Sequence, residues 1–328
     1  MLAEIRQARF VEIIQRNARD FATLGALVAM GLIITIIEPV FLSPANLINV
    51  INQSAVNAII AIGMTFVILS AGIDLSVGSV LAFSGVVMGS IAKLGESGIL
   101  SPNIAIMLGI AAGLLAGILC GLVNGGFVVF GEMHPFVSTL GMMSIARGLA
   151  LVWTGGRPVF GFEPAFRFFG AGYIGPFPTQ VVLCIVLYAV AWWILKYTKL
   201  GRYAYAIGGN EEATRLSGIN IGKMKLAFYA INGLTAAIAA LVLTARLDSA
   251  APIAGLGFEL DAIAAVTIGG TSQRGGEGKI IGSLIGALII SVLRNGLNLM
   301  DVSSYIQQIA IGFVIIFAVL LDMKTKRK

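Results

Sequence analysis

Four stretches of this chain, Phe21–Ile37, Asn103–Phe130, Val181–Leu195 and Ile306–Leu321, are almost continuously apolar. About 20 such residues wound into a helix cross a bilayer. A helix that is apolar on every side has no face to offer water, so these runs exclude most soluble folds. Composition agrees with them. Of 328 residues, 58% are apolar and 12% charged, where a soluble domain carries about 25% charged residues. The 41 glycines suit helices that approach closely in lipid. The expected fold is an all-α polytopic membrane protein.

Hydropathy places about ten transmembrane helices, near residues 21–38, 48–70, 75–93, 103–130, 135–153, 179–196, 226–246, 258–270, 280–296 and 303–321. The eighth is short and bounded by glycine. Residues 21–321 then form a single transmembrane domain, flanked by an N-terminal segment, 1–20, and a basic tail, 322–328. Segment 1–20 is too charged for a cleavable signal peptide and lacks a small-residue cleavage site. Basic residues set the direction, because they collect on the cytoplasmic side. With residues 1–20 inside, sixteen of the 22 Lys and Arg fall in cytoplasmic segments and three in external ones. Both termini are expected in the cytoplasm, with a cytoplasmic loop at 197–225 and an external loop at 154–179. The same bias accounts for the formal charge of +6 through anionic lipid, with no nucleic acid.

Asn57–Ser79 and Asp261–Ser283 share a pattern of apolar helix, glycine-rich break and small-residue helix. Paired interrupted helices of this kind mark a two-repeat transporter, although glycine-rich spans also resemble one another by composition alone. The most polar side chains near the first break are the pathway candidates: Asn57, Thr65, Ser70, Asp74, Ser76 and Ser79. Each has an alternative role. Asp74 can cap the helix that follows, and Asn57, Thr65 and Ser70 can bond neighbouring helices. Arg147, the one charge well inside a span, needs a carboxylate or helix-end carbonyls.

What the chain lacks is as informative. Cys120 and Cys184 lie inside apolar segments and read as packing residues, and the single histidine, His134, excludes a multi-histidine metal site. No metal, cofactor or catalytic constellation is expected. The nearest approach to a phosphate-binding loop ends in Lys279–Ile280, and Gln273 stands where its first glycine belongs, so no nucleotide is expected here. No convincing midplane carboxylate points to ion coupling. The chain reads as a conduit powered from elsewhere, and an ion-gradient-driven secondary transporter is the alternative.

Within the polar stretch 201–225, Asn210 is a good N-cap, Glu211 and Glu212 suit a first helical turn, Ala213, Thr214, Arg215 and Leu216 continue it, and Gly218 can end it. About two turns of helix do not stand alone in water. Leu216 and Ile219 offer an anchor for a groove on another protein. A connector helix packed on its own membrane domain fits equally.

Gly208–Ile219 (GGNEEATRLSGI) resembles the cytoplasmic coupling segment of permease subunits in ATP-binding-cassette monosaccharide importers. Ser70–Ser79 (SAGIDLSVGS), Gly257–Ser272 (GFELDAIAAVTIGGTS) and Asn295–Ser304 (NGLNLMDVSS) resemble the same family. The likeness runs in order along nearly the whole chain and is closest to the ribose members. Galactose, arabinose, xylose and autoinducer-2 permeases share much of the pattern. The resemblance implies a bacterial inner membrane, a second copy of the chain, a periplasmic sugar-binding protein and a cytoplasmic ATPase that uses ATP and Mg. It also implies that Asn210, Glu211, Glu212, Ala213, Arg215, Leu216 and Gly218 pass closure of that ATPase to the membrane helices.

Overall fold

The computed structural model describes residues 18–96 and 98–325. Residues 1–17 of the expected N-terminal segment and the last three of the basic tail lie outside the described residues. The chain is helical along most of its length. In order come Ala18–Ile37 (α1), Pro44–Leu69 (α2), Val77–Ala92 (α3), Pro102–Val129 (α4), Pro135–Thr154 (α5), Pro164–Ala171 (α6) and Thr179–Tyr197 (α7). Then follow Lys199–Gly209 (α8), Glu211–Leu216 (α9), Ile221–Leu247 (α10), Phe258–Ile268 (α11), Ile280–Leu299 (α12) and Ser304–Thr325 (α13). Two-residue strands gather at one end of the bundle. Val159–Phe160 (β1) pairs antiparallel with Ser249–Ala250 (β4), and Tyr173–Ile174 (β2) with Phe177–Pro178 (β3). We call this the hairpin end; α8 and α9 lie at the other.

Local chemistry sets where these helices begin. α2, α4, α5 and α6 each start at a proline, whose missing N–H is no loss in a first turn. His134 caps α5, its Nδ1 accepting from the Phe136 N–H at 3.3 Å, so the lone histidine has a structural task. Asn220 accepts from the Lys223 N–H at 3.0 Å. That cap starts α10 at Ile221, five residues before the expected start at 226.

Among the described residues, seven helices are long and apolar enough to cross a membrane: α2, α3 with its 3-10 extension to Gly95, α4, α5, α7, α10 and α12. The apolar parts of α1 and α13 are shorter, Ala22–Ile37 and Ser304–Phe317. The expected eighth span is the 11-residue α11. Its length follows from where it starts. On α3, Gly89 packs against Ala250 at the hairpin end, whereas Gly78 packs against Gly255. The chain therefore descends alongside α3 from residue 250 to 255, by about 16 Å at 1.5 Å per residue. α11 begins at that depth and covers only the remaining part.

The opposite end has a matching break. Tyr229 donates to the Ile73 carbonyl at 3.1 Å and Asn232 donates to Asp74 at 2.8 Å. Asn232 is eleven residues into the 27-residue α10, so residues 70–76 fold back to near its middle. α3 and α11 thus both start inside the bundle and run to opposite ends. The triplets α2–α3–α4 and α10–α11–α12 pack alike, each middle helix lying on the helix that follows it and on the first helix of the other triplet. The pattern read from sequence paired 57–79 with 261–283 instead. Those two breaks are neighbours at the α8 end, where the Gly276 N–H donates to the Leu69 carbonyl at 2.9 Å.

Backbone contact holds the centre together. On α4, glycines recur every fourth residue from Gly109 to Gly125, which lays them in a stripe. A Cβ on Gly113 would meet the Met88 side chain, one on Gly121 the Tyr229 carbonyl, and one on Gly117 the Gly233 carbonyl. α3 and α10 therefore sit directly on the α4 backbone, the small-residue contact that substitutes for a hydrophobic drive in lipid. Around it pack Ile59, Ile60, Phe66 and Phe228, all at most 1% exposed.

Candidate functional site

Three places carry polar chemistry: the break at 70–76, a cavity at the hairpin end, and the α8–α9 end. At the break, Asp74 is buried and fully engaged. Its Oδ1 accepts from the Ser76 N–H at 2.8 Å and the Ser76 hydroxyl at 2.6 Å, and its Oδ2 accepts from Asn232 at 2.8 Å. Asn124 on α4 donates to Ser76 Oγ at 2.8 Å. A carboxylate at this depth is costly unless hydrogen-bonded on several sides, and these donors supply that. The helix starts at Val77, with Ser76 as its N-cap. Asp74 therefore holds the turn before the helix, while the N-cap side chain bonds Asp74.

Removing that carboxylate leaves buried donors without acceptors. Asp74→Leu is expected to lower stability by about 1–3 kcal/mol, read as a lower thermal unfolding midpoint of the purified chain in detergent. An unchanged midpoint would remove Asp74 from the packed network.

The other candidates are spread along the same two helices. Thr65 donates to the Ala61 carbonyl and pairs with Ser283 of α12 at 2.8 Å. Ser70 donates to the Val67 carbonyl at 2.9 Å. Ser79 is buried on the first turn of α3. Asn57 is the member of the set that lines the hairpin-end cavity.

That cavity has a volume of about 550 Å³ and opens between α2, α7 and the ends of α10 and α12. Asn49, Asn52 and Asn57 of α2 line it together with Gln180, Arg246 and Arg294. The guanidinium of Arg246 donates to the Asn52 carbonyl at 2.8 Å, and Arg294 holds both oxygens of the buried Asp261 at 2.8 and 2.7 Å. Sequence reasoning found Asn57 but not its companions. The available signal was the i, i+3, i+8 spacing of three asparagines on one helix, which puts them on one face. Arg147 takes no part in the cavity. It donates to the carbonyls of Pro252 and Ala254 at 2.7 and 2.8 Å, pinning the stretch that leads into α11.

At the far end, Asn210 Oδ1 accepts from the Ala213 N–H at 2.9 Å and starts α9. Glu211 bridges Arg215 at 3.2 Å and Lys225 at 2.7 Å, tying α9 to the N-terminal part of α10. Glu212, Ala213 and Arg215 are exposed. Thr214 is buried, Leu216 is 81% exposed, and Gly218 ends the element at φ +80°. Leu216 thus stands out alone, since Ile219 is half-buried. Sequence reasoning missed α8, which joins α9 to the membrane helices; the signal was Thr198, whose hydroxyl oxygen accepts from the Gly201 N–H. Gly208 of α8 packs on the Leu69 carbonyl and on Gly275–Gly276, and Tyr205 donates to the Gly278 carbonyl at 2.9 Å. α8 therefore touches both breaks at once. Among the described residues, no group of His, Cys, Asp and Glu could hold a metal ion.

Residues 46–319 match the family described as branched-chain amino acid transport system / permease component. The ribose import permease protein RbsC of Haemophilus influenzae is 48% identical over 93% of this chain and 92% of its own length. That of Bacillus subtilis is 48% identical over 89% of each chain. The D-allose transport system permease protein AlsC of Escherichia coli is 41% identical over 86% of this chain and 84% of its own. No solved structure matches.

Proposed function

Since the chain belongs to the branched-chain amino acid transport system / permease component family, we propose that it is the membrane-spanning permease of an ATP-binding-cassette importer for ribose. The observation that carries this reading is similarity to ribose import permeases along nearly the whole chain, above that to the allose permease. In this reading the chain crosses the inner membrane as ten segments with α11 as a half-span, and both termini are cytoplasmic. Two copies form the channel. A periplasmic sugar-binding protein docks at the hairpin end, and a separate ATPase, using ATP and Mg, docks at α9.

The mechanism follows from what each part touches. The chain performs no covalent chemistry; its task is to couple motion at one end to access along its length. Closure of the ATPase pushes α9 through Leu216, Arg215 and Glu212. Glu211 passes the push to α10 through Lys225, and Gly208 passes it to the ends of α2 and of the 269–279 break. Asp74, Ser76, Ser79, Ser70 and Thr65 hold the break at 70–76 and its helices in register, and Asn57 faces the solute.

Purification of the tagged chain from its native membrane in mild detergent tests this. A nucleotide-binding ATPase is expected to accompany it in near-stoichiometric amount, and the reconstituted complex to import ribose when the binding protein is added. A chain that emerges alone and carries solute down an ion gradient would replace this reading with that of a secondary transporter.

A further inference from the structure

The hairpin-end cavity holds buried polar atoms that the fold itself leaves without partners. These are Asn52 Oδ1, Asn57 Oδ1, Gln180 Oε1 and Arg294 Nε. Asn57 is 7% exposed and Gln180 2%, so neither side chain is hydrated at the surface. All four residues line the same space. A buried polar group without a partner is destabilising, and four on three helices whose residues line one space point to a ligand that satisfies them together.

The chemistry of that ligand can be read from the atoms. Three amide oxygens accept hydrogen bonds and one guanidinium N–H donates. A hydroxyl group donates and accepts through the same oxygen, so a polyol answers both kinds. Ionic ligands fit poorly. The charge of Arg294 is already balanced by Asp261, the carbonyl-type oxygens repel an anion, and Arg246 at the rim repels a cation. At about 550 Å³ the space is within the usual range for a small-molecule site. We propose that this cavity is a weak subsite for one neutral monosaccharide, built from Asn52, Asn57, Gln180 and Arg294. The assignment deepens the transport reading above and rests on it for the sugar. Selectivity would then reside partly in the permease, at the point where the sugar first meets it.

The test uses Asn49→Cys, at the exposed rim of the cavity, in a chain whose native cysteines, Cys120 and Cys184, are both buried. A membrane-impermeant thiol reagent should label it, and millimolar D-ribose should slow that labelling whereas ribose 5-phosphate should not. Adding Asn57→Leu and Gln180→Leu should abolish the protection. The same pair of changes in the complete complex should reduce ATP-driven ribose uptake about tenfold, the effect of losing one or two hydrogen bonds. If the unaltered complex imports ribose but D-ribose does not slow labelling, the subsite is wrong and the transport reading stands. If D-ribose protects in a chain whose complex imports no ribose, the transport reading is wrong and the subsite stands. Should the double variant fail to fold, protection of Asn49→Cys decides alone.

Discussion

Leu216→Asp is expected to yield a folded chain whose complex no longer drives uptake. Leu216 is 81% exposed at the end of α9, so the chain loses almost no internal contact, and surface changes of that kind stay within about 0.5 kcal/mol. A partner groove over Leu216 would lose much more. Burying a leucine is worth about 2 kcal/mol, and an unpaired carboxylate in its place adds several more. Together these amount to roughly three orders of magnitude in docking affinity. The measurement is ATP-driven uptake at matched expression, with the amount of co-purifying ATPase read alongside. Normal uptake would reduce α9 to a connector. Loss of uptake with the ATPase still bound would move the docking anchor elsewhere and leave α9 with transmission alone.

Gly233→Leu should prevent the chain from folding. A Cβ there would fall on the carbonyl oxygen of Gly117, and one on Gly117 would fall on that of Gly233. Neither neighbour is the end of a flexible side chain, so the two helices would have to part. Overpacking that side chains can absorb costs about 1–3 kcal/mol; here backbone must move along α4 and α10 together. The expected outcome is no monodisperse peak on size exclusion in detergent. Gly148→Leu is the control, because nothing lies within 4 Å of the Cβ it would add. A well-folded Gly233→Leu chain would show that α4 and α10 do not meet as described.

The parts of this fold that were legible in the sequence are those set by local chemistry. Hydropathy located α4, α5, α7 and α12 closely, because a long apolar helix is set by its own composition. The helix from Glu211 to Leu216 was legible for the same reason: an asparagine cap, acidic first turn and terminal glycine act within one segment. What was hidden depends on contact between distant segments. The start of α11 is fixed by Gly78 meeting Gly255, and no periodicity announces it. Asp74 could be read as a cap or as a pathway residue until its partner was known, and Asn232 lies 158 residues further on. The cavity draws Asn57, Gln180, Arg246 and Arg294 from four helices, so only its α2 share had any pattern to find. α8 was obscured by the polar island around it.

The distance between Asp74 and Asn232 also bears on how the protein is made. A chain grows at about 5–20 residues per second, so the 158 residues between them take roughly 8–30 s to synthesise. For that interval Asp74 Oδ2 lacks the Asn232 side-chain amide that it accepts from in the finished fold. Thr65 waits longer for Ser283, 218 residues on, and Asn46 waits for Asn295, 249 residues on. The first broken helix pair is thus left incomplete while the second half emerges. Final assembly of α2 and α3 belongs to the end of translation, and a chain stopped before α10 would leave Asp74 for the quality-control proteases of the membrane to find.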